Sequence, residues 1–223
     1  MAHHERRICP VSSSDLPLLS DLVHTCKLAL PINRLLFKDW PNDAAQRPLY
    51  AAAVESAFKD ELAVCLKAVD EGSGDVLGHV ALTRKRPPTE STETQLPSSQ
   101  GSGGEKQQDI SEFFNPDLLS AISNAVSEIA KETEEVDHFE LTYICVKPPT
   151  RRQGVGSQLV HVCLEKARAE GIPLVVCSEP AAHDFFLSLG FTDTTHVDID
   201  LRKWAPAHSG FGIFRLSGMI WSP

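Results

Sequence analysis

Apolar residues recur along this chain in two rhythms, and the changes of rhythm mark its elements. Alternation or a short apolar run, the sign of a strand, occurs at residues 6–10, 62–69, 76–85, 138–146, 174–177, 194–202 and 212–221. Helical spacing appears between them. Leu18, Leu19, Leu22, Val23 and Cys26 form one stripe, which follows the capping run Ser12-Ser13-Ser14-Asp15 and stops at Pro31. A second helix is expected over 44–59, after an aromatic, loop-like link at 32–43. Asn115-Pro116 opens a third, with Leu118, Leu119, Ile122, Val126 and Ile129 on one face, running to about residue 132. Val155, Leu159, Val162, Cys163 and Ala167 set a fourth, to about residue 170. A fifth spans 179–191 and closes at Gly190. Glu71-Gly72-Ser73-Gly74-Asp75 joins two of the strands as a hairpin. Strands interleaved with helices in this order predict an α/β (α+β) chain.

Composition narrows this further. The 223 residues are expected to form one domain, 1–223, carrying an insertion at 87–137. Residues 87–108, rich in Ser, Thr, Gly, Gln and Glu, read as an acidic disordered loop, and 115–132 as an extra helix. The net charge of −9 sits in that insertion: it holds eleven Asp/Glu against two Lys/Arg, so the remainder is neutral. An acidic balance argues against nucleic acid as a partner. No apolar run reaches the roughly 20 residues of a membrane span, and the N-terminus shows no signal peptide, so the expectation is a cytoplasmic protein without a membrane partner. Six cysteines without a C-x-x-C pair read as reduced core residues, with no metal site.

The candidate chemistry lies after the strand His138–Val146. Pro148 and Pro149 end the ladder, Arg151 and Arg152 follow, and Gly154 and Gly156 open a helix. Strand, glycine turn and helix start bring backbone N–H groups onto an anion, aided by the helix dipole. An ordinary strand-to-helix turn with surface arginines is the plain alternative. The dinucleotide fingerprint fails, because Leu159 stands where its third glycine belongs, and no G-x-x-x-x-G-K-[ST] run exists.

What does fit is Arg151-x-x-Gly154-x-Gly156, which resembles the coenzyme A pyrophosphate loop of the GNAT superfamily of N-acetyltransferases. Ala182-x-x-Phe185-Phe186-x-x-Leu189-Gly190-Phe191 is similar to that family's closing motif, at the family's spacing. The order of elements matches as well, most closely the layout of fungal-type small-molecule members. The resemblance implies a mixed, mostly antiparallel sheet of about seven strands, splayed between the fourth and fifth and flanked by helices. It implies acetyl transfer from acetyl-CoA, as co-substrate, to a primary amine by direct attack. The pantetheine arm would run along Ile144, Cys145 and Val146, with the N–H of Val146 or Cys145 polarising the thioester. The pyrophosphate would lie on Gln153, Gly154, Val155, Gly156 and Ser157, beside Arg151 and Arg152, with Phe185 and Phe186 near the cofactor. Glu140 is the candidate base and His138 a second; an edge-exposed strand Glu is the plain reading of the first. Tyr143 is expected on the opposite face. The family's proton-donating Tyr is Phe186 here, which leaves water or His183 for that role. Phe37 and Trp40 are candidate walls of the acceptor site, or plain packing residues. The acceptor expected is a small-molecule amine. The alternatives are a peptide or protein amine, or a coenzyme A binder with weak turnover. Monomer and homodimer both remain open.

Overall fold

The computed structural model describes residues 5–87 and 110–223. The expected acidic loop at 87–108 therefore lies almost wholly outside the described residues. The elements run β1 (Arg6–Pro10), α1 (Leu16–Leu28), α2 (Asn33–Leu36), α3 (Asp43–Lys59), β2 (Ala63–Asp70) and β3 (Val76–Lys85). They continue with α4 (Pro116–Ala130), β4 (His138–Val146), α5 (Val155–Glu170), β5 (Leu174–Ser178), α6 (His183–Ser188), β6 (Thr192–Asp200) and β7 (Ile213–Trp221). The seven strands form one sheet in the order β1-β2-β3-β4-β5-β7-β6. All neighbours are antiparallel except β4 and β5.

Local chemistry accounts for the element ends. Asp15 accepts from the Ser12 N–H at 2.7 Å ahead of α1, and Asn42 accepts from the Ala45 N–H at 3.2 Å at the start of α3. Gly171 closes α5 at φ +67°, a conformation that costs a side-chain-bearing residue about 1–2 kcal/mol. Two elements differ from the sequence reading. The aromatic link contains a single helical turn, α2. The helix expected over 179–191 is only α6, because Glu179-Pro180 turns back on itself through the Ala182 N–H to the Glu179 carbonyl.

The helices cover both faces of the sheet. One face carries α5 and α6 over a core of Val80, Leu82, Phe139, Leu141, Leu159, Val160, Leu174, Val176 and Phe186. The other carries α1 and α3 over β2–β4, and α4 over β5–β7. The amphipathic stripe of α4 docks there: Leu118, Ala125 and Ile129 are buried with Ile199, Leu201 and Leu216. A bridge between Phe37 and Phe114 fastens the segment ahead of α4 to the end of α2.

Truncating Leu118, which is fully buried, removes the centre of the α4 seat. Leu118→Ala is expected to cost about 2–5 kcal/mol. The check is a lowered denaturant midpoint with an unchanged slope.

Candidate active site

The β4–β5 pair is short. Parallel pairing holds only Phe139 to Leu174 and Glu140 to Val175, after which the two strands part. Lys147 donates its N–H to the Leu77 carbonyl of the β3 side at 2.8 Å. Backbone groups alternate in direction along a strand, so Cys145 also faces β3 while the N–H and C=O of Ile144 and Val146 face the opening. Of the two N–H donors suggested by sequence, Val146 is the one directed at the gap.

A bulge then sorts the side chains. Leu82 pairs with Leu141 and Ala81 with Tyr143, which leaves Thr142 as the extra residue. Past it the alternation is reset, so Tyr143 shares the α1/α3 face with His138, Glu140 and Cys145. The expectation that Tyr143 lies opposite Glu140 is corrected by this bulge, which sequence alternation does not reveal.

The phosphate cradle forms where β4 gives way to α5. Arg152 adopts φ +63° and Gly154 φ +84°, and the helix starts at Val155. The first helical bond runs from the Gln158 N–H to the Gly154 carbonyl. The N–H groups of Val155, Gly156 and Ser157 are therefore left without acceptors among the described residues, as helix geometry requires. At Gly156 an added Cβ would stand 3.3 Å from Phe185 and 3.6 Å from Val146, so a side chain there would crowd the junction of loop, α6 and gap. Arg6 of β1 donates to the Gln153 carbonyl and to its Oε1, bracing the loop from the far edge. Beside it opens a groove of about 590 Å³ lined by Arg6, Gly154, Ser157 and His161. Val155 is itself buried, its side chain packed into the core beneath α5. Arg152 stays exposed at the cradle, whereas Arg151 turns back and donates from Nε to the Val146 carbonyl at 3.2 Å.

On the α1/α3 side the gap is lined by polar groups. Cys26 of α1 sits 3.4 Å from the Val146 carbonyl. Its hydrogen bond with Cys145 and the Arg151 guanidinium hold it below the usual thiol range, against the effect of burial. Cys145 moves the opposite way, raised by its bond to Cys26 and by burial. Tyr50 of α3 is pushed up to about 12 by burial and by the Glu179 carboxylate, so its phenol keeps its proton. Asn33 Nδ2 donates to that hydroxyl at 3.4 Å and to the Lys27 carbonyl at 2.8 Å. Lys27 pairs with Glu179 at 3.4 Å. Behind them Tyr143 donates to His79 Nε2 at 2.9 Å, while Nδ1–H binds the Leu66 carbonyl; burial lowers the His79 pKa and keeps the ring neutral.

The other candidates are spread out. Glu140 stands where β4 and β5 begin to part, partly exposed, with Lys85 Nζ 3.5 Å from Oε2. His138 is buried and donates to the Val136 carbonyl at 2.7 Å. His183 is held by Asp193 at 2.8 Å, which raises its pKa. Phe186 is 2% exposed, edge-on to Phe185 and Phe191. Phe37 is interior, stacked 4.8 Å from Phe114, and Trp40 is half-buried beside it. Arg6, Cys26 and Tyr50 were missed by sequence reasoning. Each occupies an ordinary strand or helix position, and only the fold brings them to the gap. No group of three or more His, Cys, Asp or Glu suited to a metal ion occurs among the described residues, and none of their helices is long and apolar enough to cross a membrane.

Comparison with known proteins agrees with this geometry. The family described as "Acetyltransferase (GNAT) domain" matches residues 122–193. No curated protein matches by sequence. Among solved structures, arylalkylamine N-acetyltransferase 2 from Aedes aegypti superposes with a TM-score of 0.66 at 16% identity, covering 98% of this chain and 99% of that one. The histone acetyltransferase HPA2 and related acetyltransferase from Corynebacterium glutamicum gives 0.61 at 19% identity, covering 98% and 96%. The ribosomal-protein-S18-alanine N-acetyltransferase from Escherichia coli gives 0.52 at 14%, covering 98% and 94%.

Arg152→Glu combined with Gly154→Asp places two acidic groups on the cradle. Titration calorimetry should then find coenzyme A binding abolished in a protein that still folds; retained binding removes the loop from the site. Small-electrophile labelling reads Cys26. Its thiolate is present above its lowered pKa, so labelling should persist at pH values where an ordinary thiol is protonated, and fall as pH drops further. In Arg151→Ala that fall should move to higher pH.

Proposed function

For this chain, which has the GNAT fold and carries a GNAT acetyltransferase domain, we propose acetyl-CoA-dependent transfer of an acetyl group to a primary amine, by direct attack of the amine. The observation that carries the reading is the parting of β4 from β5 beside a helix start whose N–H groups have no acceptor among the described residues. The residues present suit the cofactor. Gly154, Val155, Gly156 and Ser157 offer backbone donors to a pyrophosphate, and Gly156 leaves room that a Cβ would fill. Ile144 and Val146 offer the edge pairing that an amide-bearing pantetheine arm takes up. Acetyl-CoA supplies an activated acyl group as a thioester.

The side chains of this chain do the remaining work. The Val146 N–H faces the gap as the donor for developing negative charge on a carbonyl oxygen. Glu140, at the base of the opening on the α1/α3 side, accepts the proton that an ammonium must lose before it can attack. Phe186 has no proton to give, and His183 is tied to Asp193. Tyr50 protonates the departing thiolate in this reading: its hydroxyl is buried and keeps its proton. A small amine is the acceptor favoured, because the polar groups beside Tyr50 lie inside the α1–α3 packing and not on an open face. The segment 87–137 is read as an insertion into the domain.

The test is thiol release against an amine panel. Glu140→Gln should lower the rate on the order of 10²-fold. An unchanged rate removes Glu140 from the mechanism. Tight coenzyme A binding with no release for any amine would leave a binding protein instead.

A further inference from the structure

The chain carries a primary amine of its own at the mouth of the gap. Lys27 lies in the last turn of α1. The residue before it, Cys26, places its Sγ 3.4 Å from the Val146 carbonyl, at the end of β4. Lys27 Nζ reaches the other way, to Glu179 Oε1 at 3.4 Å, and Glu179 is the first residue after β5. One turn of helix therefore touches the ends of both strands where they stand apart. The Lys27 ammonium bridges the opening between them.

This amine is both accessible and movable. The Lys27 and Glu179 side chains are 32% and 30% exposed, so there is open space beside Nζ. The root of the side chain is fixed: the Lys27 carbonyl accepts from Asn33 Nδ2 at 2.8 Å and from the Leu30 N–H at 3.1 Å. The four-carbon stem above that root is flexible, and an ion pair so exposed holds it only loosely. Other lysines are placed differently. Lys59 and Lys166 pair within their own helices, with Glu55 and Glu170 one turn away. Lys85 meets Glu140, but at the closed end, where Glu140 still pairs with Val175.

We propose that Lys27 Nζ is a self-acetylation site, taking the acetyl group from acetyl-CoA bound in the same molecule. This rests on the acetyl-transfer reading and adds an acceptor that belongs to the chain itself. An ammonium cannot attack, and the carboxylate already in contact with it, Glu179, takes the first proton. The freed lone pair forms the amide C–N bond. The thioester C–S bond breaks, and its electron pair leaves on the coenzyme A sulfur. The nitrogen then releases a second proton, which balances the one that the sulfur takes up. The product is a neutral amide that no longer pairs with Glu179 as a cation, so the bridge over the gap is lost.

Intact-mass measurement of the full chain with acetyl-CoA and no added amine reads the transfer. The wild type should gain one acetyl group, and peptide mapping should place it on Lys27 and not on Lys85. The rate constant should be unchanged on dilution, because donor and acceptor share one molecule. Lys27→Arg keeps the cation beside Glu179 and should lose the gain. Arg152→Glu with Gly154→Asp should lose it too. A second readout needs no transfer: coenzyme A should shield Lys27 from acetic anhydride, and the cradle variant should lose that shielding. An acetyl group absent from Lys27, a rate constant that falls on dilution, or a Lys27 left unshielded overturns the proposal. Thiol release with an external amine tells the two failures apart. Release without acetylated Lys27 sinks only the self-transfer, whereas no release sinks the acetyl-transfer reading with it.

Discussion

The parting of β4 from β5 governs the rest of the structure. A sheet is held by its ladders, and here the central ladder stops after two residue pairs. The backbone groups of Ile144 and Val146 are left facing an opening inside the protein, where unpaired donors and acceptors are costly. The surrounding elements answer that cost. Arg151 and Cys26 converge on the Val146 carbonyl, α5 and α6 close one face, and α1, α3 and α4 close the other. A ligand that brings its own amides is the natural completion of such an edge.

The two faces divide the chemistry. On the α5 side everything favours negative charge: an open helix start, an exposed Arg152, and a loop braced by Arg6. On the α1/α3 side the groups are proton-handling ones, with pKa values driven apart by their surroundings. Cys26 is pulled down by Cys145 and Arg151, while Tyr50 and Cys145 are pushed up. The Thr142 bulge is the hinge of this division. Without the reset it imposes, Tyr143 and Cys145 would point to the α5 side, and the acceptor face would lose both.

Legibility in the sequence followed the range of the interactions. The cradle was readable because strand end, arginines and glycines are contiguous, and the conformation of Gly154 follows from what only glycine adopts easily. The mixed, mostly antiparallel sheet and its splay came with the family resemblance, not with periodicity, while the strand order and the parallel β4–β5 pair emerged only from the structure. What depends on distant residues was hidden. Cys26 and Tyr50 look like ordinary helix positions, Arg6 like an edge-strand charge, and a one-residue bulge leaves no mark in an alternating pattern. The helix expected over 179–191 shrank to six residues because its proline sits in a turn closed by the Ala182 N–H on the Glu179 carbonyl. Phe186, flagged for the hydroxyl it lacks, proves to be a packing residue of the core.

The occupied carbonyl of Val146 has one more consequence. A strand edge able to accept a ligand's amides is equally able to accept a strand from another chain, the usual start of aggregation. Arg151 and Cys26 sit on the outermost carbonyl of that edge. A charged guanidinium there makes it a poor template for a foreign strand. The same two side chains that line the gap thus keep one backbone acceptor of that edge satisfied while the gap stands open.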